Sequence, residues 1–261
     1  MSDSVLAALR VERAAVLEFV RAIPDERWAE PSKAAGWSVR DVVVHLVGEA
    51  RMLMTPDALL AFTSGNIERL NDRMVARDSL QVPAEIVAAF ERWSGRAVRA
   101  LTVMHLPLVG AIPLRTGELG WYPMRSVSSM FLYEWHTHVR YDLAPALGVT
   151  PPPTDAARLA GVVTWLLKLL EQTHRRELDW LNAPVHLSLT GPGGGGWRIE
   201  RTAGALRVTP GESDGEQARI VGKAIEFPEW VTCRAPWQDR AITLRGDSEL
   251  GARFLSSLNV V

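Results

Sequence analysis

Glu134 and His138 stand four positions apart in a stretch with helical periodicity. Four residues advance an α-helix by about 400°, so the two side chains lie one above the other, roughly 40° apart. Val127, Met130, Phe131 and Tyr141 share that stripe, which should turn inward. A carboxylate is costly to bury there unless it is paired or binds a cation. His45 raises the same question in an earlier helix. Valines and Leu46 surround it, and Asp41, Val42, Glu49 and Met52 share its side. Two helices with inward donors can hold one divalent cation through His45, Glu134 and His138, leaving a fourth position to water or substrate. Zinc fits this set best, and nickel or iron also accept imidazole and carboxylate. Asp41 and Asp142, each one turn from a histidine, are candidates to orient the rings. The competing reading is a hydrogen-bonded His–Glu pair without metal. Glu49 is either a fourth ligand or a surface residue. His136 falls about 180° from Glu134 on the wheel and is expected to face outward.

Other candidates carry less. The run Gly191 to Gly196 lacks the Gly-Lys-Ser/Thr ending of a phosphate loop and reads as a turn. Cys233 has no neighbouring base and is expected to pack among apolar groups. His105, His174 and His186 fall in no ligand pattern. Trp121 and Tyr122 are candidates for a pocket mouth, with core packing the alternative.

The elements that must position these residues divide the chain near residue 150. Leu6, Leu9, Val16, Leu17 and Val20 predict a helix over 4–22, which Pro24 ends. Ser38 and Asp41 form a capping-box pattern that opens a second helix, running to Met54. Shorter helices are expected over 56–78, a long one from Pro83 through Leu101, a Gly- and Pro-rich loop over 107–124, and a helix from Arg125 to Leu147 that stops at Gly148. Four amphipathic helices bury their stripes most economically against each other, so residues 1–150 should form a four-helix bundle. Pro151 to Pro153 read as a stiff linker. Beyond it, over 151–261, Thr154 should cap a helix through Leu170. Strand-like runs follow at Val185 to Thr190, Trp197 to Arg201, Ala205 to Thr209, Arg219 to Lys223 and Ile242 to Arg245. Helical segments at Phe227–Arg234 and Ser248–Leu258 complete a smaller α+β domain.

The chain has 261 residues, 29 basic and 30 acidic, with a formal net charge of −1. That balance gives no electrostatic footprint for nucleic acid or an anionic membrane. A single cysteine excludes an internal disulfide and suits a reducing compartment. Charges at Asp3, Arg10, Glu12 and Arg13 are wrong for a signal peptide. The apolar run Leu159 to Leu167 is too short to span a bilayer. A cytoplasmic protein is expected.

The run Gly36-Trp37-Ser38-Val39-Arg40-Asp41-Val42-Val43-Val44-His45-Leu46, with Trp28 and Pro31 before it, resembles the second-helix signature of the DinB-like superfamily. More narrowly, it resembles the mycothiol-dependent maleylpyruvate isomerase family. Glu134-Trp135-His136-Thr137-His138, followed by Asp142-Leu143-Ala144 and Ala146-Leu147-Gly148, is similar to that family's second ligand segment. Gly246-Asp247-Ser248-Glu249-Leu250 before a last helix is similar to its sterol-carrier-type domain. One departure stands out: many relatives have aspartate three residues after the second histidine, where Tyr141 stands here and Asp142 follows. The resemblance implies a divalent metal, usually zinc, on His45, Glu134 and His138, and a low-molecular-weight thiol such as mycothiol as cofactor. A thiol at the open metal position loses its proton, because the cation favours thiolate. The implied activity is cis–trans isomerisation or thiol transfer to a small electrophile. The alternative is a non-catalytic carrier of a small molecule or lipid, with the metal structural or absent. Protein contacts in stress regulation are a third and weaker reading.

Overall fold

The computed structural model describes residues 2–78, 82–211 and 218–260. The chain divides into two compact units, Met1–Pro153 and Thr154–Val261.

The first unit is helical. Its helices are α1 (Ser2–Arg21), α2 (Val39–Met52), α3 (Asp57–Thr63), α4 (Ile67–Asp78), α5 (Pro83–Val103), α6 (Pro107–Ala111), α7 (Val127–Thr137) and α8 (Ala144–Ala146). Helices α1, α2, α5 and α7 form the bundle: α1 packs on α5 and α7, and α2 packs on α5. Leu9, Val16, Val20, Phe90, Leu101, Phe131, Leu132 and Trp135 supply its core, all essentially inaccessible to solvent. The capping box is formed: Ser38 Oγ accepts from Asp41 N–H at 3.2 Å, and Asp41 Oδ2 accepts from Ser38 N–H at 2.9 Å. From Val42 to Ala50 every residue of α2 is buried. Gly48 allows α4 to approach, because a Cβ there would sit 2.9 Å from Met74 Cε.

The helix expected over 125–147 is not continuous. A 3₁₀ turn over Met124–Ser126 leads into α7, and His138–Leu143 form a π-helix before α8. Pro145 supplies the reason: it has no N–H for the Tyr141 carbonyl, and its ring crowds that carbonyl, so the chain widens to i→i+5 bonding. The segment 107–124, expected as loop, contains α6 and a hairpin of β1 (Pro113–Arg115) with β2 (Trp121–Pro123).

The second unit opens with α9 (Ala156–Thr173). Its N-cap is Asp155, whose side chain accepts from Arg158 N–H, where Thr154 was expected. Asp155 is better placed because its carboxylate also holds the Arg158 guanidinium at 2.8 Å. A five-stranded mixed sheet follows, in the order β5–β4–β3–β6–β7. Its strands are β3 (Val185–Thr190), β4 (Gly195–Thr202), β5 (Ala205–Pro210), β6 (Ala218–Lys223) and β7 (Thr243–Gly246). Only β3 and β6 run parallel, with Leu187 opposite Ile220. Gly191 and Gly193, both at positive φ, carry the β3–β4 turn expected from the glycine run. Helices α10 (Phe227–Val231) and α11 (Ser248–Ser256) complete the unit, with α9 against β5 and α11 against β6 and β7. Cys233 is exposed and lies just beyond α10, contrary to the expected apolar packing. The helix stops two residues earlier, and Cys233 takes a positive φ of 55°, which turns its side chain out of the helical stripe.

No helix among the described residues is long and apolar enough to cross a membrane.

Candidate metal centre

In the first unit, α2 brings His45 against Glu134 of α7 and His138 at the start of the π-helix. One ligand atom from each lies within 4.8 Å of the other two. Glu134 Oε2 is 3.2 Å from His138 Nε2 and 3.7 Å from His45 Nε2. Both imidazoles are buried, and Glu134 retains partial access to solvent.

His138 is oriented from behind. Its Nδ1 lies 2.7 Å from Asp142 Oδ2. A carboxylate can only accept, so Nδ1 carries the proton toward Asp142, and Nε2 is the ring atom that faces Glu134. Asp142, four residues on, stands on the His138 side of the helix. Lys33 N–H bonds the Asp142 carbonyl at 3.0 Å, tying the loop before α2 to this widened turn. Arg140, also in the turn, forms a buried pair with Glu12 of α1 and donates to the carbonyls of His136, Pro152 and Pro153.

His45 has a different setting. Asp41 is engaged in the α2 cap, through Ser38 N–H and Ser38 Oγ–H, and His45 Nδ1 is a buried atom without a hydrogen-bond partner. The Trp37 indole lies against this ring at 5.0 Å between centroids and stacks on His138 at 6.5 Å. Trp37 Nε1–H donates to Asp72 of α4 at 3.0 Å, which fixes the indole.

Glu49 is buried, which removes the surface reading. Its Oε1 is 3.7 Å from His45 Nε2, and its Oε2 has no partner. Helix α2 is enclosed on every side here, so a position one turn beyond His45 has no route to solvent.

The electrostatics follow from burial and mutual contact. Burial pushes Glu134 up, but the bonds and charges of His138 and His45 outweigh it and hold the carboxyl at about 2. Burial lowers His45, with Glu134 opposing. Burial also acts against protonated His138, yet its bonds to Asp142 and Glu134 leave it raised. Burial, then the Glu134 charge, raises Glu49 well above the usual carboxylate range.

The donor set fits a divalent cation. Bonds of about 2.0–2.1 Å in a tetrahedron place neighbouring ligand atoms about 3.4 Å apart, close to the 3.2 and 3.7 Å observed. Two neutral-capable imidazoles and one carboxylate form a His₂Glu set, and Glu49 Oε1, 3.7 Å from His45 Nε2, is a candidate fourth donor.

The remaining histidines lie elsewhere. His136 is fully buried, not outward, because α7 is enclosed nearly all round; its ring lies 6.2 Å from that of Tyr141. His105 bonds Ser128 Oγ at 2.8 Å, His174 Nε2 accepts from Asn259 N–H, and His186 Nε2 bonds the Gly211 carbonyl. Tyr122 is buried and Trp121 exposed. Sequence reasoning passed over Trp37 as part of the centre. Its place directly before the α2 cap, on the side where His45 emerges, was the available signal.

Residues 9–106 match the family model described as the mycothiol maleylpyruvate isomerase N-terminal domain. Two uncharacterized proteins of Mycobacterium tuberculosis, Rv0036c of strain H37Rv and MT0041 of strain CDC 1551, are each 27% identical over 223 residues, covering 80% of this chain and 81% of theirs. Among solved structures, the mycothiol-dependent maleylpyruvate isomerase aligns with a TM-score of 0.61 at 14% identity, over 94% of this chain and 92% of that one. A mutant of that isomerase gives 0.60 with the same coverage. At that identity the likeness speaks for a shared fold.

Proposed function

We propose, from the match of residues 9–106 to the mycothiol maleylpyruvate isomerase N-terminal domain, that this chain is a metal-dependent enzyme of that family using a low-molecular-weight thiol. His45, Glu134 and His138 hold the divalent cation, with zinc the metal that suits the set. The substrate is a small electrophile, and the reaction is cis–trans isomerisation of the maleylpyruvate type or transfer of the thiol. The thiol is mycothiol or a close analogue. The observation that carries the reading is the spacing of three ligand atoms, one each from His45, Glu134 and His138, each within 4.8 Å of the others.

A bound cation supplies one thing: it makes a thiol sharing its coordination far more acidic. The side chains do the rest. Glu134, held anionic, balances the added charge. Asp142 keeps the His138 proton on Nδ1 and aims Nε2 at the centre. Burial keeps His45 neutral and so available as a donor. Trp37 covers both rings and limits water. A thiol bound at the centre would supply a nucleophilic sulfur able to add reversibly to an activated cis double bond, and His45, Glu134 and His138 would hold the cation that acidifies it. No cysteine of the chain takes part.

The test is elemental analysis of the purified protein, followed by turnover of maleylpyruvate and simple electrophiles with and without mycothiol. The expected result is one divalent metal per chain, lost in His45→Ala and His138→Ala, with turnover that requires the thiol. Metal-free protein, or metal with no thiol-dependent turnover, overturns the reading. Metal-free protein that co-purifies with a lipid would instead support a carrier.

A further inference from the structure

A second concentration of charge lies between α1 and α5 and shares no residue with the His45 cluster. A cleft of about 570 Å³ is lined by Arg10 and Arg13 of α1 and by Glu91, Arg92, Gly95, Arg96, Val98 and Arg99 of α5. The spacing builds it. Arg92, Arg96 and Arg99 recur at i, i+4 and i+7, and Arg10 and Arg13 at i and i+3, so each helix presents one arginine row. Because α1 packs on α5, the two rows face each other.

Five arginines thus meet one carboxylate, and that carboxylate is engaged: Glu91 Oε2 lies 2.7 Å from Arg21. Among the described residues no carboxylate lies within salt-bridge range of Arg92, Arg96 or Arg99. In a chain of net charge −1 this is a local excess with no structural counterpart. Arg13 and Arg10 tie α1 to α5 through Ser94, the Glu91 carbonyl and Thr102, while the like charges of Arg92, Arg96 and Arg99 repel with no carboxylate among the described residues to offset them.

The cleft is also organised. Arg13 Nε–H donates to Ser94 Oγ at 2.8 Å, and its Nη2 donates to the Glu91 carbonyl at 2.7 Å. Those bonds use two of the five donors of its fork. Gly95 makes room for it, since a Cβ there would lie 3.2 Å from Arg13 Nη2. Arg96 and Arg92 lie over the Trp93 ring, at 4.9 and 5.7 Å from its centroid. Stacking of this kind orders guanidinium planes before a ligand arrives. The volume falls in the range of small-molecule sites, roughly 300–1,000 Å³. Arginine forks match tetrahedral oxyanions through paired hydrogen bonds.

We propose that the α1–α5 cleft binds a small polyphosphate-bearing anion through Arg10, Arg13, Arg92, Arg96 and Arg99. The shared chemistry is a chain of phosphoryl groups, whether free or carried on a nucleoside.

Calorimetric titration of the full chain with inorganic tripolyphosphate at 0.15 M salt is the test, with ATP, citrate and a short polyglutamate peptide as further arms. Saturable one-to-one binding of tripolyphosphate is expected, weakening at least tenfold in Arg96→Ala/Arg99→Ala. Both side chains are exposed, so the variant should keep its circular dichroism spectrum and its melting temperature. ATP competing for the same site assigns the phosphoryl chain as the recognised part. ATP binding without tripolyphosphate binding shows that the nucleoside is read as well and overturns a site for phosphoryl groups alone. Absence of saturable binding, binding unchanged in the folded double variant, citrate equal to tripolyphosphate, or polyglutamate alone binding would each overturn the assignment.

Discussion

The buried pair between Glu12 and Arg140 fastens the turn that carries His138 and Asp142, and its removal has a calculable cost. Glu12 is 0% exposed and Arg140 5%. Replacing Glu12 by leucine leaves a guanidinium buried with only carbonyl partners. Breaking such a pair costs about 3–5 kcal/mol. With about 2–4 °C per kcal/mol for a chain of this size, the first unit's melting midpoint should fall by about 6–20 °C. Replacing both partners, Glu12→Leu with Arg140→Met, removes the stranded charge. That double variant should be more stable than Glu12→Leu alone, short of wild type because the carbonyls of His136, Pro152 and Pro153 lose their donor. Denaturant unfolding of chelator-treated protein, followed by circular dichroism, measures each value. A metal titration on the same samples reads the centre: Arg140→Met should weaken metal binding while leaving the three ligands in place. A single-variant cost below about 1 kcal/mol would refute the reasoning, since it contradicts a desolvated pair. So would a double variant no better than the single one.

Three other outcomes are expected. In metal-free protein, Glu134 sits at about 2 against an ordinary value near 4.5. A depressed carboxyl stabilises above its unfolded value, so that contribution should vanish as pH falls from about 4.5 to 2; Glu134→Gln melts should lack this acid limb. Glu49 is shifted the other way. Above pH 4.5 the unfolded chain releases its proton more readily than the folded chain does, so Glu49→Gln should raise the metal-free melting temperature at pH 7 and leave it unchanged at pH 4. Ser38→Ala removes the α2 cap and should cost about 0.5–2 kcal/mol in denaturant unfolding.

Much of this was readable from residue order, and the exceptions have physical causes. The cap at Ser38 and Asp41 located the start of α2, and therefore the turn on which His45 sits. The five strand-like runs coincide with β3 to β7 within two residues at either end, because alternation and the glycine turn are local signals. The i, i+4 spacing of Glu134 and His138 placed both on one face; their approach to His45 depends on tertiary packing, which periodicity alone does not encode. The outward reading of His136 has a plain origin. A helical wheel assumes one wet face, but α7 is enclosed nearly all round, so His136 is buried. The π-helix was missed because Pro145 was read through, although a proline near a helix end is a known cause of such distortion. Despite the Tyr141–Asp142 departure from the family pattern, Asp142 lies 2.7 Å from His138 Nδ1, one turn on along the same face.

The chain contains ten tryptophans, and a signal from so many would ordinarily average away local events. Trp37 is different in kind, since its ring centroid lies 5.0 Å from that of His45 and 6.5 Å from that of His138, and its pyrrole nitrogen is tethered to Asp72. Its emission is expected to respond to protonation of either ring, because imidazolium quenches indole more strongly than neutral imidazole does. The molecule therefore carries its own optical gauge, and a Trp37→Phe difference spectrum would isolate it from the other nine.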